Sequence, residues 1–332
     1  MSNDIIVSSR IRLARNLANK PFSNNTSLEI GDNVLNCVFN ALSDISNFNF
    51  YRCKNLKNNI MEDMLEDHII SSELINNSDI AGVAISEDNS VSIMVNEEDH
   101  IREQCFLEGL NLKRAYDIIS DIDTELIESL DIAYDDKLGF LTACPSNVGT
   151  GLRASVMMFL PGIVLTNNVQ ELIDAVSRYG ICVRGCYGEG SNANGYLFQI
   201  SNQFSLGKTE EEIVQLVEST ALKIVDLEEN ARQMLLNTKK EELTDEMLRD
   251  FGVLSNCYKI STNEAVEKLS KVKMGCAMGL ITLDDTKIID ELINNMSPVK
   301  INKLSNMELS YNERDIYRAN YLGKMLKDSR II

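Results

Sequence analysis

Cys144-Pro145-Ser146-Asn147-Val148-Gly149-Thr150-Gly151-Leu152-Arg153-Ala154 is the stretch on which the reading of this chain turns. Its proline and glycines predict a loop over 145–151, and Leu152 predicts the opening of a helix. A glycine-containing turn that runs into a helix N-terminus offers free backbone N–H groups to an anion. Arg153 would then sit in the first helical turn, where the helix dipole disfavours a cation. A bound phosphate would explain it. Gly149 to Ala154 also fits the loose dinucleotide pattern G-x-G-x-x-A. That match is discounted: it lies mid-chain, outside a clear βαβ unit, and an acidic residue about 20 positions on (Glu171 or Asp174) is expected by chance. The stretch does not fit G-x-x-x-x-G-K-[ST] and is not a P-loop.

Working outward, residues 139–144 read as a short strand and 111–130 as an amphipathic helix. Residues 81–85 and 90–96 read as strands around the turn-like Glu87-Asp88-Asn89. Residues 28–45 carry Val34, Cys37, Val38, Leu42 and Ile45 at helical spacing. Residues 5–13 alternate as a strand, with Ile5, Val7, Ile11 and Leu13 on one face and Ser8, Arg10 and Arg12 on the other. Beyond the loop, 180–186 and 195–202 read as strands joined by a Gly-rich stretch. From Thr209 onward the pattern is helical: 210–240, 244–256, 263–273, 287–296 and 312–327. Strands grouped before helices predict an α+β chain with a separate helical domain, not regular βαβ winding.

Several segments around this frame carry charge in suggestive places. Strand alternation sets Arg10 and Arg12 about 7 Å apart on one face. Two guanidinium groups there suit a polyphosphate, since arginine forks match phosphate oxygens; alone, two solvated arginines are the simpler reading. In Val95-Asn96-Glu97-Glu98-Asp99-His100-Ile101-Arg102, continued strand geometry would point Glu98, His100 and Arg102 one way, with Glu98 and Arg102 about 13 Å apart. That span could take a cationic substrate at one end and a phosphate tail at the other. An acidic turn after a strand is the simpler reading. Arg184-Gly185-Cys186-Tyr187-Gly188-Glu189-Gly190-Ser191 puts an arginine at a strand end before a flexible acidic loop; a hairpin loop with a solvated Glu189 is the alternative.

The 332 residues carry a net charge of −18, which excludes non-specific attraction to nucleic acid or an anionic membrane as the main activity. The eight cysteines are scattered without a C-x-x-C, so they predict reduced thiols in a cytoplasmic protein and no zinc ribbon. The two histidines, His68 and His100, make no convincing metal site. Residues 1–16 show no signal-peptide h-region, and no apolar run is long enough to span a bilayer.

Taken together, S-S-R-I-R-L-A-R-N, N-E-E-D-H-I-R, C-P-S-N-V-G-T-G-L-R-A-S and R-G-C-Y-G-E-G-S stand in the order and approximate spacing of the phosphagen (guanidino) kinase superfamily, which the chain resembles over about residues 5–231. The resemblance implies a curved antiparallel sheet flanked by helices, similar to the catalytic domain of glutamine synthetase, with ATP-Mg²⁺ across the sheet. Only seven residues precede Ser8, where small-substrate members carry an N-terminal helical domain, and a helical extension follows Gln203. Both features resemble bacterial protein arginine kinases of the McsB type. So does Arg314-Asp315-Ile316-Tyr317-Arg318-Ala319, which matches a phosphoarginine-sensing motif of that family.

The resemblance implies a division into a catalytic domain over 1–231 and a helical domain over 232–332. It implies that Ser8, Ser9, Arg10, Ile11, Arg12 and Arg102 bind nucleotide. The strips Arg153, Ala154, Ser155, Val156 and Met157, and Arg184, Gly185, Cys186, Tyr187, Gly188 and Glu189, would line the same site. His68, in Glu66-Asp67-His68-Ile69, is a looser match. Glu98 and Glu189 would grip the substrate guanidinium. Its pKa exceeds about 12, so one carboxylate must orient the attacking nitrogen and accept its proton. Cys144 matches the family's reactive cysteine and would tune the substrate site. Magnesium would be held by phosphate and water, so no protein ligand is named. The implied function is ATP-dependent protein arginine kinase in stress response and protein quality control, acting as a homodimer with a zinc-binding activator and a Clp-type unfoldase. Two alternatives stand beside it: a kinase of free arginine or a similar metabolite, and a non-catalytic phosphoarginine-binding regulator.

Overall fold

In the computed structural model, residues 4–22, 26–45, 47–185, 194–283 and 287–327 are described. The chain runs β1 (Ile6–Arg15), α1 (Leu28–Ile45), β2 (Phe48–Arg52), α2 (Asn58–Glu66), α3 (Ser72–Asn76), β3 (Gly82–Ser86), β4 (Val91–Val95), β5 (Ile101–Glu108) and α4 (Leu112–Ser129). A small hairpin, β6 (Tyr134–Asp135) and β7 (Gly139–Phe140), leads into β8 (Leu152–Phe159), α5 (Pro161–Leu165), α6 (Val169–Ser177), β9 (Ile181–Gly185) and β10 (Leu197–Asn202). Helices complete it: α7 (Glu210–Thr238), α8 (Lys240–Asn256), α9 (Thr262–Ala277), α10 (Lys287–Asn294), α11 (Pro298–Ser305) and α12 (Tyr311–Leu326).

Eight strands form one sheet in the order β2-β3-β4-β5-β1-β8-β10-β9, every neighbour antiparallel. One face is apolar. Ile11, Leu13, Ala154, Val156 and Ile200 are buried there with α1, α4 and α7, whose apolar residues recur at helical spacing. The α7 helix opens on a capping box in which Thr209 and Glu212 satisfy each other's backbone N–H groups. Its residues up to Ala231 join this core, whereas Leu235 joins a second core built mainly from α8, α9, α10 and α12.

Four expectations are corrected. Leu152 opens the central strand β8, not a helix: its residues alternate between the two faces, and pairing with β1 and β10 fixes them extended. Val7 is exposed, because an irregularity in the β1–β8 register between Ile6 and Ser8 turns Ile6 inward in its place. Residues 95–102 are not one strand. Asn96 takes a left-handed φ of 58°, its N–H donates to His100 O at 2.9 Å, and β5 returns antiparallel to β4. Glu98 therefore sits in the turn and not 13 Å along a strand from Arg102. The strand expected over 139–144 is limited to Gly139–Phe140, and β2, β5, β6, α2, α3, α5, α6 and α11 had no forecast.

Candidate active site

The opposite face is polar around β5, β1, β8, β10 and β9, whereas at β3 and β4 it carries Val83, Ile85 and Met94, buried with Met61 of α2 and Leu74 of α3. In β1, alternation sends Ser8, Arg10 and Arg12 to this face and turns Ser9 and Ile11 away. Ser9 is buried, with its Oγ donating to Gly109 O at 2.7 Å and accepting from Asn111 N at 2.8 Å, while Ile11 is in the core. In β8, Arg153, Ser155 and Met157 share the polar face, and Ala154 and Val156 belong to the core. Register then assembles rows across the strands. Arg12 stands between Gln104 and Arg153, and Arg10 stands between Phe106 and Ser155. Farther along, Ser155 pairs with Ser201, Ser201 with Cys182, and Gln199 with Arg184. Of the expected phosphate contacts, Ser8, Arg10, Arg12, Arg102, Arg153, Ser155, Met157 and Arg184 thus share one face. Side chains of Ser9, Ile11, Ala154 and Val156 do not reach it. Gly185 ends β9, and Cys186, Tyr187, Gly188 and Glu189 lie outside the described residues.

The guanidinium cluster is electrostatically costly. Burial, then Arg10, Arg102 and Arg153, push Arg12 well below the ordinary arginine pKa. Arg153 is lowered by burial, then by Arg184. Its Nη2 donates to Ser201 Oγ at 3.0 Å. The Nε atoms of Arg12 and Arg153 are buried with no hydrogen-bond partner. Buried charged donors left unpaired cost free energy, and the oxygens of a polyphosphate would satisfy them.

Arg12, Arg102 and Arg153 line a cavity of about 110 Å³ together with Glu98, Asp99, Cys144, Ser146, Asn147 and Gly151. Burial, then the neighbouring Asp99 and Glu97, raise the Glu98 carboxyl above its ordinary pKa. Glu97, which the sequence reading left without a role, pairs with Arg102 and accepts from Ser71 Oγ at 2.6 Å. Asp99 is buried and its Oδ1 accepts from Asn16 Nδ2 and Ala143 N, both at 2.6 Å. That bond ties the Glu98 turn to the loop bearing Cys144, whose Sγ lies 3.1 Å from Ser146 Oγ. His100 is buried away from the cavity: its Nδ1 accepts from Leu17 N, and Nε2 donates to Pro21 O. His68 keeps an exposed edge, yet desolvation by the surrounding protein, then the Arg10 charge, lower its imidazole pKa. Its ring lies 6.4 Å from that of Phe106.

Arg15 holds the loop from beneath, another residue without a forecast role. Its Nε and Nη2 fork onto Asp123 at 2.9 and 2.7 Å, and Nη1 donates to Ala14 O and Thr150 O. The guanidinium also stacks 3.6 Å from the centroid of Phe140. A Cβ on Gly151, where φ is +69°, would meet Arg15 Nη1 at 2.5 Å. Glycine therefore permits both the backbone turn and the close approach.

Two family models match most of the chain. Residues 29–231 match the ATP:guanido phosphotransferase C-terminal catalytic domain, and residues 240–330 match the protein-arginine kinase McsB C-terminal domain. The chain belongs to the ATP:guanido phosphotransferase family. Among relatives of this ATP:guanido phosphotransferase is a protein-arginine kinase of Halothermothrix orenii, 43% identical over 325 residues, covering 97% of this chain and 93% of the relative. Another, from Caldanaerobacter subterraneus subsp. tengcongensis, is 40% identical over 328 residues, covering 97% of each. A lombricine kinase structure shares the fold, with a TM-score of 0.61 at 24% identity over 69% of this chain and 67% of that one. The duplicated taurocyamine kinase of Schistosoma mansoni has a TM-score of 0.60 at 26% identity, covering 79% of this chain and 39% of that one.

Proposed function

We infer that this chain is an ATP-dependent protein arginine kinase: it transfers the γ-phosphoryl group of ATP to arginine guanidinium groups of proteins. The single observation that carries the chemistry is the pair of buried, unpartnered guanidinium nitrogens of Arg12 and Arg153 beside Glu98. The polypeptide substrate follows from near full-length similarity to protein-arginine kinases.

Phosphoryl transfer needs positioning and charge neutralisation more than covalent chemistry from the protein. We assign Arg10, Arg12, Arg153 and Arg184 to the phosphates, with Arg102 oriented by Glu97. Glu98 orients the substrate guanidinium. As the attacking nitrogen forms its P–N bond and the bond to the ADP oxygen breaks, Glu98 accepts the proton that nitrogen loses. Its raised pKa makes it a stronger base than an ordinary carboxylate. Glu189 is assigned as the second carboxylate on motif resemblance alone. Among the described residues no cluster of three or more acidic, histidine or cysteine side chains is set to hold a metal. Magnesium, when bound with ATP, neutralises phosphate charge, and its place on phosphate and water oxygens is part of the proposal.

We place the boundary between catalytic (1–231) and helical (232–332) domains within α7, where its buried residues pass from one core to the other. Phosphoarginine sensing by Arg314 to Ala319 is likewise a proposal. Residues 314–319 are not a solvated helix end, because Asp315 and Arg318 are buried. Arg318 donates to Met296 O, Ile260 O and Asp315 Oδ1, and Arg314 donates to Leu309 O. Phosphoarginine would have to replace some of these acceptors. Homodimerisation, a zinc-binding activator, a Clp-type unfoldase and a stress-response role rest on resemblance. Cytoplasmic placement rests on the unpaired cysteines among the described residues. The test is incubation with ATP and an arginine-containing protein, followed by mass spectrometry that preserves acid-labile phosphate. Phosphoarginine supports the reading, and its absence with phosphoserine or phosphothreonine present sinks it.

A further inference from the structure

The helical C-terminal region reaches the polar-face side of the sheet through α11, which lies against α2. Lys300 Nζ is 2.7 Å from Asp67 Oδ1 and 3.4 Å from Asp63 Oδ1. Lys303 Nζ is 2.5 Å from Asp63 Oδ2, and Ser297 Oγ donates to Glu66. Lys300 is largely covered, with 15% of its side chain exposed, so this contact is more sheltered than an ordinary surface pair. Opposite charge accordingly raises Lys300 and lowers Asp63 despite the opposing pull of burial on each.

One carboxylate of this contact, Asp67, stands immediately before His68, which packs beside the arginine face. Asp67 is the C-cap of α2, and His68 follows it with a left-handed φ of 59°. From there His68 is pinned to the sheet. Its carbonyl accepts from Gln104 Nε2 at 2.7 Å, and Gln104 is the cross-strand partner of Arg12. Its ring lies beside Phe106, the cross-strand partner of Arg10. At the other end, Arg318 Nε donates to Met296 O at 2.9 Å, next to the Ser297 N-cap of α11. A continuous set of contacts thus runs from α12 through α11 and α2 to His68.

We propose that Lys300 and Lys303 are positioning residues for nucleotide binding: by clamping Asp63 and Asp67 they fix the C-terminus of α2 and hold His68 against the Arg10 side of the phosphate face. This rests on the reading that the arginine face takes the phosphates of ATP. A positioning role of this kind acts on ground-state binding of nucleotide, leaving the chemistry at Glu98 intact.

The experiment compares steady-state kinetics of the full chain, with ATP varied at saturating protein substrate. The variants are Lys300→Ala with Lys303→Ala, Lys300→Arg with Lys303→Arg, and His68→Ala. Loss of the lysine pair is expected to raise KM for ATP about fivefold, with kcat within about twofold of wild type. The arginine pair, which keeps the charge, is expected to restore wild-type KM, and His68→Ala to raise KM as the lysine variant does. An unchanged KM in the alanine pair while His68→Ala raises it overturns the positioning role and leaves the nucleotide face standing. Lowered kcat and lowered thermal midpoint with unchanged KM mark a merely structural contact and also overturn it. If His68→Ala leaves KM unchanged, the assignment of this side to nucleotide falls, and the inference with it.

Discussion

Arg12 on β1 and Arg153 on β8 are direct cross-strand partners. Like charges set directly opposite one another on a sheet are destabilising, and here both Nε atoms are buried and unpartnered. The apo protein therefore carries an electrostatic cost that an anion would remove. Arg153→Met should leave apo stability unchanged or raise it, by up to about 1 kcal/mol. It should also abolish most of the thermal stabilisation by ATP. Differential scanning calorimetry with and without nucleotide reads both effects. A destabilised apo variant that keeps its full ATP shift would contradict the phosphate assignment.

Glu98 is assigned as the base, so Glu98→Gln should lower kcat about a hundredfold, equivalent to roughly 3 kcal/mol of barrier, with ATP affinity nearly intact. The pH profile gives a second check. The reaction needs the ionised carboxylate, and burial beside Asp99 and Glu97 raises its pKa. The wild-type rate should fall as pH drops through that raised value, above the usual carboxylate range. The residual rate of the variant should lack this acidic limb. A normal rate for Glu98→Gln would show that the base is another group.

The arginine face was legible in the sequence through motif order and period-two alternation, which correctly put Arg10 and Arg12 on one side of β1. The helical reading of residues 152 onward was wrong, because local composition does not show that β1 and β10 pair on either side of β8. The same limit hid the turn at Asn96, whose side chain donates to Gly31 O and Ile80 O from distant segments. Glu97 and Asp99 stand in the acidic run that was noticed, but their division of labour is set by partners far along the chain, Ser71, Asn16 and Ala143. Arg15 sits in the quoted motif without a legible role, since its acceptors, Asp123 on α4 and Thr150 in the loop before β8, meet only in the folded chain. Asn312 to Ala319 carried the helix spacing but not the burial of Arg318.

Glu97 gives a stability prediction. Burial alone would raise its pKa, but Arg102 and Ser71 hold it below the ordinary value. A carboxyl depressed on folding stabilises the fold above its unfolded pKa, about 4.3. That stability is lost as pH falls through the lower folded value. Glu97→Gln should reduce unfolding free energy by about 2 kcal/mol at neutral pH, and the deficit should shrink below about pH 4. Urea titrations across that range measure it. A deficit constant with pH would assign the effect to packing.

Arg15→Lys tests the support under the loop. Lysine cannot keep the fork on Asp123 while also reaching Thr150 O. The variant should lose about 3 kcal/mol of stability and about tenfold in kcat, because the loop carrying Cys144 and leading to Arg153 is no longer held. Chemical denaturation and steady-state assays together check it. Stability loss with unaltered kcat would make Arg15 a structural residue only.

The central claim, phosphorylation of arginine within proteins, is tested most directly by supplying γ-labelled ATP with three acceptors: an arginine-containing protein, a version of it with every arginine replaced by lysine, and free arginine. The account predicts acid-labile label on the first protein, almost none on the second, and little turnover of the free amino acid. Acid-stable label on both proteins, or efficient turnover of free arginine alone, would contradict it.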